Sequence, residues 1–427
     1  MTLQDLLDPV LDGSAKGFPH ASEPLRRSAV GAQGWNILRG DLPFPVAVIR
    51  QVPLAHNLGW MQAFAQTRGL DLAPHGKTTM SPQLFQRQLQ TGAWGMTVAN
   101  VTQLHAALAA GSRQCIITNQ VFAANDLALI ARLQRTHAGL RVLFLVDSVA
   151  QLDMIARWHA DHGQGEGFEV LLEIGVAGGR TGCRDHEQAL ALARRIKSEP
   201  AVRLAGIECY EGLAASGKTD ADRAYAEPLM HRVDAVAVAC DAENLFEASE
   251  ILISAGGSAI YDLVAPFLKP ALSRPVRGVL RSGCYVTHDQ GNYKRMMSAV
   301  AQRIGCGEGL HAALEVWAAV QSVPEAGLAI LTVGKRDISY DQEMPSVLRY
   351  CKAGQAIPLN APADWVITGL NDQHAYLRVL NETGERLQVG DLVCLGISHP
   401  CTTFDKWRWM PLVDETYNVV DAIVTCF

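Results

Sequence analysis

From about residue 45 to residue 285 the chain repeats one pattern: a short β-branched or apolar run, a small polar patch, then a stretch with helical period. The runs Val46-Ile49, Leu72-His75, Met96-Ala99, Cys115-Asn119, Val142-Val146, Glu169-Ile174, Leu204-Tyr210 and Ile251-Ser254 predict eight strands. Helical segments such as Pro82-Gln90, Gln151-His159 and Ala221-Ala239 follow nearly all of them. Regular β-α alternation implies parallel strands covered by helices. No unit opens with a Gly-rich dinucleotide fingerprint, so a closed (β/α)8 barrel fits better than an open doubly wound sheet. Reactive groups are then expected at the C-terminal ends of the strands.

Past about residue 300 strands follow one another without helices, in Leu314-Val323, Leu328-Val333, Asp364-Thr368, Ala375-Leu380 and Leu392-Ile397. This change predicts a mostly antiparallel β domain over 301–427, a barrel over 45–300, and an N-terminal segment, 1–44, packing with the β domain.

Composition narrows the function. In 427 residues, 37 Lys and Arg stand against 43 Asp and Glu, which leaves no basic stripe for nucleic acid and points to small-molecule ligands. The N-terminus carries Asp5 and Asp8 where a signal peptide needs basic residues, and no apolar run approaches the ~20 residues of a membrane span. A cytoplasmic protein is expected. Ten cysteines without a CxxC pair do not read as a disulfide framework and are expected to be mostly reduced and buried.

Three stretches carry chemistry. Pro74-His75-Gly76-Lys77-Thr78-Thr79 ends the second predicted strand, where Lys77 would enter the barrel mouth; a desolvated lysine there can condense with an aldehyde, although a solvated loop lysine fits the position equally well. Ser254-Ala255-Gly256-Gly257-Ser258 follows the eighth predicted strand, where small residues can expose backbone N–H groups to a phosphate; an ordinary tight turn is the alternative. His399-Pro400-Cys401 offers an imidazole and a thiol suited to zinc, one ligand short of the usual catalytic three. A competing motif, Gly212 to Thr219, matches GxxxxGK[ST] after a strand and before a helix, as in a nucleotide-binding P-loop. Against it, the one suitable magnesium-ligand run, Val142-Asp147, precedes the motif.

Taken together, PHGKTT with the downstream GAWGMTVAN, the GGRTG loop at Gly178-Gly182, the ECYEG strand end, SAGGS, RSGCYVTHDQGNY from Arg281 to Tyr293 and GISHPCTTFDKW resemble the fold-type III pyridoxal phosphate enzymes, within them the D-serine dehydratase and D-threonine aldolase group. The resemblance implies an alanine-racemase-type barrel followed by a β domain. It implies that Lys77 anchors pyridoxal 5'-phosphate, that His75 belongs to the same site, that Tyr210 faces the pyridine nitrogen and that Arg180 lies near the phenolic oxygen. It further implies that Ser254, Gly256, Gly257 and Ser258 hold the phosphate, with Tyr285 and Asp289 near the cofactor. In this group H-x-C goes with zinc and dehydration, H-x-D with a harder ion and aldol cleavage. The resemblance therefore implies a homodimeric D-serine deaminase with Zn2+ on His399 and Cys401. Asn371-Asp372-Gln373-His374, in place of the acidic E-H-G of the aldolases, is a departure that bears on substrate. The rivals are a D-threonine or 3-hydroxyaspartate aldolase on the same scaffold, a non-enzymatic pyridoxal phosphate-binding protein, and the P-loop NTPase.

Overall fold

The computed structural model describes residues 3–162, 167–380 and 386–427. Eight parallel strands form one sheet, in the order Asp71–Leu72, Val276–Leu280, Ile251–Ala255, Val202–Cys209, Phe168–Ile174, Arg141–Val146, Gln114–Gln120 and Met96–Val98. The ends of this path meet. Trp94 N–H donates to the Leu72 carbonyl at 2.8 Å and Thr97 N–H to that of Pro74 at 3.0 Å, which closes the barrel. Its interior is a layer of one or two apolar side chains from nearly every strand: Ala73, Ile116, Leu143, Leu145, Leu171, Ala205, Leu252 and Val279. Such a filled interior leaves the strand ends as the place for a site.

Strand assignment differs from the sequence expectation at one point. Val46–Arg50, expected to open the barrel, belongs to the ten-stranded second sheet, antiparallel to Leu314–Trp317 and parallel to Leu412 and Val413. Residues 46 to 49 are apolar and buried, a pattern that suits a strand covered on both faces in either sheet. The missing barrel strand is Val276–Leu280, whose short Gly278-Val279-Leu280 run carries little periodicity. Each strand count shifts accordingly: Lys77 follows the first barrel strand, Tyr210 the sixth, and the SAGGS loop the seventh.

The second sheet is largely antiparallel, and part of it closes on itself. Leu328–Leu331 pairs with both Ala375–Val379 and Leu314–Glu325, completing a ring through Trp365–Leu370, Ser346–Cys351 and Leu392–Gly396. Leu11, Phe18, Ile37 and Leu42 of the N-terminal segment pack on this sheet's Val46, Trp317 and Trp409. Phe18 meets Trp409 edge-on at 5.3 Å between centroids, and Trp409 Nε1 donates to the Lys16 carbonyl at 3.0 Å.

Candidate active site at the barrel mouth

Asp71–Leu72 ends in a 3-10 turn, Gly76–Thr78, that presents Lys77 to solvent and buries Thr78. Gly76 permits this turn, since a Cβ there would stand 2.4 Å from Phe85 Cζ. His75 caps the turn: its Nδ1 accepts from Lys77 N–H at 3.4 Å, which assigns the proton to Nε2, 3.0 Å from Thr118 Oγ1. Burial, then the charges of Lys77, Arg281 and Arg180, hold His75 well below the ordinary imidazole value. It is a neutral, oriented ring.

Behind the mouth, Arg281 binds three strand ends together. It forms an ion pair with Glu208 and donates to Ser254 Oγ at 2.9 Å and to the Cys209 carbonyl at 3.0 Å, with both charged side chains nearly inaccessible. Ser254 Oγ itself donates to the Val279 carbonyl at 3.0 Å, so this hydroxyl is committed inside the barrel rather than offered to the loop. Gly256 and Gly257 point their N–H groups at one anion, the Glu211 carboxylate, at 3.0 Å for Gly256. Gly256 has φ +101, and a Cβ there would meet Leu280 Cδ2 at 2.7 Å. Ser258 Oγ accepts from the N–H groups of Gly283 and Cys284 at 3.3 and 3.2 Å. The loop is thus an anion cradle, as convergent N–H groups on glycines should be.

Arg180 lies over the Tyr210 ring, 4.8 Å from its centroid. Burial and the neighbouring Glu211 push the Tyr210 phenol up to about 12, so it stays protonated. Tyr285 is buried, its hydroxyl accepting from Gln88 at 3.1 Å. Asp289 Oδ1 accepts from the N–H groups of Gly291, Tyr293 and Lys294 at the start of helix Asn292–Ile304, while its Oδ2 has no partner among the described residues. Burial pushes the Asp289 carboxyl up to about 7.

The β domain delivers Cys401 to the same place. Its Sγ donates to Thr78 Oγ1 at 3.5 Å, one residue from Lys77, and lies 3.7 Å from Cys284 Sγ. The Cys401 hydrogen bond, more than any other contact, holds Cys284 below the ordinary thiol value, and Cys401 rises in return. His399 Nδ1 is 2.6 Å from Asp341 Oδ2, and Thr402 Oγ1 donates to the other Asp341 oxygen at 2.6 Å. A carboxylate on one ring nitrogen leaves the other for a metal, the usual arrangement around a histidine ligand. Among the described residues, the only trio with donor atoms mutually within 4.8 Å is elsewhere, His56, Glu308 and His311. There the two imidazoles stack at 4.0 Å and 5°, so their in-plane lone pairs run parallel rather than converge.

The P-loop candidate dissolves in this geometry. Ser216 N–H and Oγ both donate to Asp222 Oδ1, at 2.7 and 2.9 Å, ahead of helix Thr219–Ala242. The Ser216 N–H and hydroxyl are thus taken up by a carboxylate of the following helix, and Lys218 faces solvent. Glu211, Arg281, Cys284 and Asp341 were not singled out as site residues from the sequence. Glu211 and Cys284 lie within the quoted ECYEG and RSGCYVTHDQGNY stretches, whereas no sequence signal joins Asp341 to His399, 58 positions away.

The alanine racemase N-terminal domain family matches residues 49–266, and the putative serine dehydratase domain family matches residues 313–413. The chain belongs to the fold-type III pyridoxal phosphate family. It is 26% identical to D-threonine aldolase from Arthrobacter sp. over 89% of this chain and 88% of that enzyme. It is 28% identical to D-threo-3-hydroxyaspartate dehydratase from Delftia sp. over 85% of this chain and 92% of that one. Among solved structures, D-threonine aldolase from Filomicrobium marinum superposes with a TM-score of 0.73 at 21% identity, covering 90% of this chain and 95% of that one. The Delftia dehydratase superposes at 0.70 with 25% identity, over 92% and 99%. Solved structures of a D-threo-3-hydroxyaspartate dehydratase include one with a histidine replaced by alanine and a metal-free one with a cysteine, two positions further on, replaced.

The residues of this fold-type III chain suit the cofactor. The N–H groups of Gly256 and Gly257 converge on one point, where the Glu211 carboxylate sits and which a phosphate would have to take over from it, and there is no room for a Cβ at Gly256. Lys77 opens on the same mouth. A soft-tolerant divalent metal also suits the donor set, with a thiol and a carboxylate-oriented imidazole.

Proposed function

We propose that this protein is a pyridoxal phosphate-dependent ammonia-lyase that eliminates water from D-β-hydroxy amino acids, D-serine first, giving a 2-oxo acid and ammonia. The observation that carries the reading is the Cys401 thiol, hydrogen-bonded to Thr78 and so one residue from Lys77 at the barrel mouth.

In this reading Lys77, Gly256, Gly257 and Ser258 hold the cofactor, which supplies the electron sink for charge developing at the substrate Cα. His399 and Cys401 hold zinc, which supplies Lewis acidity toward a departing hydroxyl. The Lys77 amine takes the Cα proton. Neutral His75 fixes the turn that aims it, with Thr118 fixing the imidazole. The protonated Tyr210 phenol can donate one hydrogen bond but carries no formal negative charge, so a weak partner sits where an acidic residue would make a strong one. Arg180 over Tyr210 keeps that ring in place. The β domain of a second copy closes the mouth against water in the proposed homodimer.

A second reading, retro-aldol cleavage on the same scaffold, is favoured by the Arthrobacter relative, an aldolase matching 89% of this chain. The Delftia relative, a dehydratase, favours elimination, as do the solved D-threo-3-hydroxyaspartate dehydratase structures whose replaced histidine and cysteine share the spacing of His399 and Cys401. Product analysis with D-serine, D-threonine and D-threo-3-hydroxyaspartate separates the two. Elimination gives a 2-oxo acid with ammonia; glycine with an aldehyde as the sole products overturns the dehydratase reading.

A further inference from the structure

The geometry points to Cys284 as a third protein ligand of the metal, completing with Cys401 and His399 a Cys2His site with one open position; this rests on the metal reading given above. Catalytic zinc commonly has three protein ligands and one exchangeable position, and His-x-Cys by itself falls one short. With zinc–sulfur bonds of about 2.3 Å and tetrahedral angles, two thiolates on one ion stand about 3.8 Å apart. Cys284 Sγ and Cys401 Sγ are 3.7 Å apart.

The surroundings of this pair differ from those of the other cysteines. Cys183 donates to the Asp147 carbonyl, Cys351 to that of Gln355 and Cys115 to Ser112 Oγ, as isolated buried thiols do. Among the described contacts only Cys284 and Cys401 join two thiols. They come from opposite parts of the chain, Cys284 just after the last barrel strand and Cys401 at the start of the β-domain helix Cys401–Phe404. Thr78 Oγ1 bridges them, at 3.6 Å from Cys284 and 3.5 Å from Cys401, and so ties the pair to the turn that carries Lys77.

The imidazole stands apart from the thiol pair in this structure. Among the described residues no trio containing His399 has its donors mutually within 4.8 Å, so the ring nitrogen stands beyond that distance from at least one of the two sulfurs. His399 Nδ1 is engaged by Asp341 on a partly exposed loop, which leaves Nε2 as the ring nitrogen for the metal, and the three-ligand site requires this loop and ring to close on the thiol pair. Metal binding displaces one proton from each thiol, and the ion is bound by two thiolates and a neutral imidazole. Such a site prefers zinc, cobalt or cadmium to magnesium and manganese.

The test uses the full-length protein, stripped of metal under reductant and loaded with Co2+. Thiolate-to-cobalt charge-transfer absorption reports the number of bound sulfurs, and circular dichroism with cofactor absorbance reports the fold. The expected result is a charge-transfer band that falls by about half in Cys284→Ser and in Cys401→Ser alike, with zinc bound at least ~10-fold more weakly in each. Cys284→Asp, which keeps an anionic donor, retains cobalt at full stoichiometry with the same halved band. If Cys284→Ser keeps the whole band while Cys401→Ser loses it, Cys284 is no ligand and the His399–Cys401 reading stands. If wild type shows no band and takes up no metal, that reading itself has failed. Should Cys284→Ser not fold, Cys284→Asp decides: an undiminished band overturns the proposal.

Discussion

Arg281 and Glu208 are a buried ion pair beneath the cradle, and the two partners differ in what each does when left alone. Burial holds the Glu208 carboxyl above the usual carboxylate range, and the Arg281 guanidinium in contact offsets that only in part. In Arg281→Met the downward pull disappears, so Glu208 takes up a proton and its charge is shed. The loss is then that of hydrogen bonds to neutral groups, Ser254 Oγ and the Cys209 carbonyl, roughly 1–3 kcal/mol. In Glu208→Gln the guanidinium, which proteins do not deprotonate, stays charged among the strand ends, and breaking a buried pair this way costs about 3–5 kcal/mol. Urea unfolding at pH 7, followed by a probe in the barrel, should therefore show the midpoint falling further for Glu208→Gln, and the double variant should lose less than the sum of the singles. The pH dependence adds a sign. In Arg281→Met the folded carboxyl stands further above the unfolded value than it does beside Arg281. Its contribution is thus fully present below about pH 4.3 and is lost as pH rises, by up to ~1.4 kcal/mol per unit, until the raised folded value is passed. Glu208→Gln has no such slope. Equal losses, a larger loss in Arg281→Met, or stability of that variant rising with pH would refute the argument.

Lys77→Ala should abolish turnover and the lysine-linked cofactor absorbance while circular dichroism is unchanged, because Lys77 is exposed and its removal leaves no cavity; more than trace activity counts against Lys77 as anchor and base. Gly256→Ala should weaken cofactor binding at least ~10-fold by equilibrium dialysis, since a Cβ at φ +101 and 2.7 Å from Leu280 costs about 2 kcal/mol and turns the cradle N–H aside. Unchanged affinity would place the phosphate elsewhere. His288 is held down to about 4 by burial first and then by the His311 and Lys294 charges. The unfolded chain therefore binds a proton the folded one refuses, and stability should fall as pH drops from about 6.5 toward 4, by about 3 kcal/mol in all. His288→Asn, which tolerates the residue's φ of +49, should flatten this acid limb in denaturant titrations at several pH values.

Local periodicity was enough to announce a parallel β-α barrel and a helix-poor β domain, because a strand covered on both faces and an amphipathic helix each write their burial into neighbouring residues. The short motifs around Lys77, Gly256 and His399 were legible for a similar reason: turn geometry and donor chemistry are carried by adjacent side chains. Which sheet a strand joins is not local. Val46-Ile49 reads as a barrel strand and pairs with residues 314–317 instead, since an all-apolar run satisfies either sheet and only the partner's backbone decides. The same holds at the mouth. Glu211 on the Gly256 N–H group, Asp341 behind His399 and Cys284 beside Cys401 are contacts between segments 45, 58 and 117 positions apart. Sequence spacing carries no trace of them, because closing the barrel and docking the β domain on it set those distances.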